Sequence, residues 1–93
     1  MNPLDEIRQK IAYFDRELLD LLRQRFALCQ EAAKIKQSSG VPIHDQEYEE
    51  QLRSKIADIA QDFGLNQDWT QSVFTKILQE SKRLQQMSLD GLL

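Results

Sequence analysis

Sheets joined by tight turns need glycine and proline, and a chain of 93 residues with three Gly and two Pro leaves little room for them. A single cysteine, Cys29, excludes an intrachain disulfide, and no His/Cys spacing resembles a metal site. Cys29 reads as a helix-packing residue. No apolar run is long enough to span a bilayer. The N-terminus lacks the short basic region followed by a hydrophobic stretch that marks a secretory signal, so a cytoplasmic location is expected. Positive charge is not in excess either. With a formal net charge of -3, no global field invites nucleic acid or an anionic membrane, and any anion must be held by a local cluster. Residues 1–93 show no repeat or low-complexity linker, and no second domain is expected within them. Residues 1–93 are expected to form a single domain. At 41% hydrophobic and 29% charged its core is modest, which makes association through long helices physically reasonable.

What is present is helical periodicity. Leu4, Ile7, Ile11, Phe14, Leu18, Leu21, Leu28, Ala32 and Ile35 recur in steps of three and four, the seam of one long helix packed against others. Between Leu21 and Leu28 the pattern asks for an apolar residue, and the chain supplies Arg25. A guanidinium in that slot is either exposed or held there for an anion, because burying it without a partner is strongly unfavourable. At 1.5 Å per residue this helix is about 50 Å long, whereas a compact domain of this size has a radius of gyration of roughly 12 Å. Its own chain cannot cover it. A second copy is therefore expected along it, and the fold class is all-α with at least a dimer as the working unit.

Three helices are expected, over about 3–37, 46–63 and 67–87. Asn2 and Pro3 suit the first start, and Ser38-Ser39-Gly40 ends that helix before an extended Val41-Pro42-Ile43 link. Asp45 caps the second helix, whose apolar face reads Leu52, Ile56, Ile59 and Phe63 before Gly64. Asn66 caps the third, with Val73, Phe74, Ile77, Leu78 and Leu84 on one side. Residues 88–93 show no periodicity, and fraying is expected there.

All three helices place polar groups where their periodicity calls for hydrocarbon: Arg25 and Lys36 on the first, Glu49 on the second, Ser81 and Gln85 on the third. On an ideal helix Lys36 points the same way as Arg25, about 16 Å further on. Arg8 lies beside the seam about 25 Å away in the other direction. It could reach an anion at Arg25 only from an antiparallel partner chain. Each residue has an ordinary explanation. A lone seam Arg can set register or snorkel, Glu49 can pair with Arg53 at i+4, Lys36 suits a helix C-terminus, and Ser81 or Gln85 alone could be a surface residue. Together the five describe a polar pocket inside an apolar bundle, with cations for carboxylates, a carboxylate for a hydroxyl, and neutral donors besides.

These residues, in this order, resemble the all-α class of chorismate mutase in its short bacterial form. The likeness runs through Leu4-Asp5-Glu6-Ile7-Arg8, Asp15-Arg16-Glu17-Leu18-Leu19, Arg23-Gln24-Arg25, Ala33-Lys34-Ile35-Lys36, Val41-Pro42-Ile43-His44-Asp45, Glu49 and Glu80-Ser81-Lys82-Arg83-Leu84-Gln85. It implies an interlaced six-helix homodimer that converts chorismate to prephenate in phenylalanine and tyrosine biosynthesis, with no cofactor and no metal. By the same resemblance, Arg25 and the partner's Arg8 grip the two substrate carboxylates with Ser81 assisting. Lys36 and Gln85 donate to the ether oxygen, and Glu49 with the backbone at Asp45 holds the ring hydroxyl. Tyr48 stands where the family pattern has an arginine, which leaves room for a related substrate. Sister enzymes on the same scaffold are the nearest alternatives: an isochorismate-pyruvate lyase, or a mutase acting on 4-amino-4-deoxychorismate. A non-catalytic helical dimerisation module is the alternative of a different class.

Overall fold

In the computed structural model, which describes residues 2–93, the regular structure is three helices: α1 (Pro3–Ser39), α2 (Gln46–Asp62) and α3 (Gln67–Leu89), with no strand among the described residues. Each start is fixed by a side chain one residue ahead of the helix. Asn2 accepts the Asp5 N–H at 2.8 Å, Asp45 accepts that of Tyr48 at 3.1 Å, and Asn66 accepts that of Trp69 at 2.8 Å, each satisfying a donor the helix leaves free. Pro3, Asp5 and Glu6 favour the first turn of α1.

The ends differ from the sequence expectation by one or two residues, for local reasons. α1 runs on to Ser39, and the turn is taken by Gly40 at φ 74°, a left-handed conformation that favours glycine. The Val41 N–H then closes back on the Lys36 carbonyl at 2.9 Å. α2 stops at Asp62, with Phe63 as its cap and Gly64 at φ 68° letting the Leu65 N–H return to the Ala60 carbonyl at 2.8 Å. α3 continues past Met87 to Leu89, and the Leu92 N–H bonds to the Met87 carbonyl at 2.9 Å. The first part of the segment expected to fray is thus helix and turn.

α3 is the central element. It packs on both α1 and α2, which do not pack on each other. The result is a slab of 56 × 30 × 15 Å with a radius of gyration of 16.6 Å, well above the roughly 12 Å of a compact domain this long. Its buried apolar residues are Ala33, Ile56, Ala60 and Leu78. On α2 the covered stripe runs through Leu52, Ile56 and Ala60. Phe63, expected on it, is 74% exposed, and Ile59 also faces outward.

The largest difference concerns α1. Leu22, Phe26, Cys29 and Ala33 lie on its covered side, a stripe offset from the seam read in the sequence. Leu4, Ile7, Ile11, Phe14, Leu18, Leu21, Leu28 and Ile35 are all 51–67% exposed within one chain. Every residue from 2 to 19 is exposed.

Candidate active site

The C-terminal half of α1, the start of α2 and the C-terminal half of α3 line a half-open cavity of about 460 Å³. Arg25 and Lys36 reach it from α1, Asp45, Tyr48 and Glu49 from the α2 entry, and Ser81 and Gln85 from α3, with Leu28, Ala32 and Leu78 supplying hydrocarbon. All sequence-selected positions except Arg8 therefore meet at one place. Arg8 is exposed and does not line this cavity in its own chain, as the 17-residue separation on one straight helix requires.

Arg25 is half-buried. Its Nη1 donates to Ser81 Oγ at 3.1 Å and makes a longer contact of 3.7 Å with Cys29 Sγ, while its guanidinium carbon sits 6.0 Å from the centre of the Phe74 ring, a cation–π arrangement. The Ser81 hydroxyl, 3% exposed, spends its own hydrogen on the Ile77 carbonyl at 2.9 Å. Ser81 thus fixes the guanidinium, and the remaining edge of Arg25 is free for a planar anion.

Lys36 Nζ donates to Gln85 Oε1 at 3.0 Å and to the Ile43 carbonyl at 3.1 Å. An ammonium has three hydrogens and no lone pair, so one donor remains, and the contact dictates which end of the Gln85 amide faces Lys36. The Gln85 nitrogen is left as a second donor. Gln85 is only 5% exposed, so this amide is held by burial as well as by the ammonium.

Glu49, also buried, does not pair with Arg53 as its i+4 spacing suggested. Arg53 donates to Thr75 Oγ1 at 3.0 Å instead. The Glu49 carboxylate is held from two sides, by Lys82 Nζ at 2.9 Å and by His44 Nδ1 at 2.9 Å. The carbonyl of Asp45 accepts the Glu49 N–H at 3.0 Å, so the backbone group of Asp45 suited to a ligand oxygen is its N–H. Tyr48 forms part of the wall and is half exposed.

Lys82, His44 and the Ile43 carbonyl also belong to this site, and none of them interrupts an apolar stripe in the sequence. A signal for Lys82 existed, since Leu78, Ser81, Lys82 and Gln85 fall at i, i+3, i+4 and i+7, one helix face. His44 and the Ile43 carbonyl sit in the connection, where periodicity is silent. Among the described residues no group of His, Cys, Asp or Glu is placed to hold a metal ion, and no helix is long and apolar enough to cross a membrane.

Two cations besides Lys82, a held carboxylate and a buried amide around one cavity give this all-α chain a site whose chemistry suits a small polyfunctional anion between its helices. Residues 7–86 match the chorismate mutase type II family, and the chain belongs to that family. It is 30% identical to the chorismate mutase of Methanocaldococcus jannaschii over 94% of this chain and 88% of that protein. It is 32% identical to the bifunctional chorismate mutase/prephenate dehydratase of Escherichia coli over 95% of this chain and 23% of that protein. Against the T-protein of Haemophilus influenzae the identity is 30%, over 87% of this chain and 22% of that protein. The chain thus spans most of the first relative and under a quarter of the other two.

Proposed function

We propose that this protein is a chorismate mutase, rearranging chorismate to prephenate, and that it works in the cytoplasm as an interlaced six-helix homodimer. The observation that carries the reading is the meeting of Arg25, Lys36, Glu49 and Gln85 around one cavity in a chain of this family. In a [3,3] rearrangement the ether C–O bond breaks as a new C–C bond forms, and electrons move round a six-membered ring. No proton or group enters or leaves. The protein has two tasks: to confine a flexible dianion in its reactive shape, and to stabilise charge on the ether oxygen as its bond lengthens.

The free edge of Arg25 takes one substrate carboxylate, with Ser81 holding the guanidinium in aim. The partner's Arg8 takes the other, which makes assembly and the site one construction. The third N–H of Lys36 and the amide nitrogen of Gln85 point their hydrogens at the ether oxygen. Glu49 accepts from the ring hydroxyl, the Asp45 N–H donates to the same oxygen, and Tyr48 contacts the substrate at the open side. The row of exposed apolar residues along α1 supports the dimer, since a contiguous apolar surface of that length marks an interaction face.

The test is to mix purified protein with chorismate, follow the loss of its ultraviolet absorbance, and identify the product. Prephenate is the expected outcome. Pyruvate would move the assignment to a lyase, and unchanged chorismate would leave a helical dimerisation module.

A further inference from the structure

Glu49 shares its wall of the cavity with a cation that the roles above do not use. Lys82 lines the cavity, its ammonium is 2.9 Å from Glu49 Oε1, and His44 Nδ1 holds the other carboxylate oxygen at 2.9 Å. Lys82 Nζ and His44 Nδ1 stand 3.4 Å apart. The Glu49 side chain is only 12% exposed and that of Lys82 34%.

We infer that Lys82 is a specificity-determining residue, making this site choose a ring that bears a hydroxyl over one that bears an ammonium at the same carbon. The inference rests on the proposed mutase reaction with Glu49 facing that ring substituent. A carboxylate without Lys82 would select in the wrong direction, because both donors make a charge-assisted hydrogen bond to it but only an ammonium adds the attraction of a full positive charge. An ammonium would then be preferred to a hydroxyl. Lys82 reverses the preference by neutralising Glu49 and setting a positive charge beside any second cation brought to it. Like charges at about 4 Å disfavour each other by a factor on the order of ten to a hundred in a part-exposed site. A hydroxyl carries no charge to be repelled and needs only one acceptor position. A carboxylate offers about four, and one contact on each oxygen leaves room.

The experiment compares wild type, Lys82→Met and Lys82→Arg with two substrates at neutral pH, chorismate and its 4-amino-4-deoxy analogue. The wild type is expected to favour chorismate. In Lys82→Met the ratio of kcat/KM for the amine to that for chorismate should rise ten- to a hundredfold, mainly through a lower KM for the amine, and Lys82→Arg should keep the wild-type ratio. Should Lys82→Met fail to fold, Lys82→Gln, which keeps a donor to Glu49 without the charge, must give the same rise. If Lys82 only supports the fold, both substrates lose activity together and the ratio stays put. That result overturns the inference while chorismate turnover by the wild type leaves the mutase assignment standing. A wild type that prefers the amine also overturns it. A wild type inert towards both substrates removes the mutase reading and this inference with it.

Discussion

Residues 4–19 and 20–36 belong to one uninterrupted helix and repeat apolar residues at the same steps, yet within the chain α3 covers only the second half. The first half shows Leu4, Ile7, Ile11, Phe14 and Leu18 to the outside. The second half has two apolar sides, one turned to α3 through Leu22, Phe26, Cys29 and Ala33 and one left open through Leu21, Leu28 and Ile35. Arg25 lies on the border between them, within reach of the cavity and beside the open side. Periodicity states which residues favour burial and is silent on which neighbour provides it. On α1 the cations of the cavity, Arg25 and Lys36, fall in the half that its own chain covers.

If the open half completes the site of a second copy, Arg8→Ala and Arg25→Ala should each lower kcat/KM by a factor on the order of 10³. Mixing and refolding the two dead variants should then restore about a quarter of wild-type activity, since about half the dimers are mixed and each of those holds one intact site. Absence of rescue would break the link between the two halves. Within the covered half, Lys36→Ala or Gln85→Ala removes one preorganised donor and should cost about 10² to 10³ in kcat; near-normal turnover by both would move the chemistry elsewhere.

Stability sharpens the same contrast. Phe14→Ala should cost little if Phe14 is as exposed in solution as in one chain, and about 3–5 kcal/mol in a denaturant melt if a second copy buries it. Ala33 is completely buried, so Ala33→Leu should cost about 1–3 kcal/mol by overpacking. The smallest effect belongs to the ion pairs outside the cavity. Hydrogen bonding to Arg23 holds the Asp20 carboxyl below its ordinary range, and Arg83 does the same for Glu80. A lowered carboxylate stabilises the fold above its unfolded-state value, and that contribution fades as pH falls through the folded one. Both pairs are open to solvent, which screens them. Asp20→Asn should therefore barely move the acid-unfolding midpoint.

Much of this was legible in the sequence. Asn2, Asp45 and Asn66 announced the helix starts, Gly40 and Gly64 their ends, and polar residues in apolar stripes marked the cavity, because caps and stripes are local properties of the chain. Partner choice is not local. Glu49 found Lys82, 33 residues on in sequence, instead of Arg53 one turn away, since α3 rather than solvent lies against that face of α2. Ala60, rather than Ile59 or Phe63, continues the α2 stripe because the line from Glu49 through Ile56 reaches position 60, which is 1% exposed.

A slab 15 Å through has two faces and almost no inside, and the four apolar residues buried among those described include two alanines. If a second copy covers the open face, folding and meeting that twin become one event, and concentration becomes a term in stability. Thinning the solution should act as warming does, lowering the melting temperature and silencing the enzyme together.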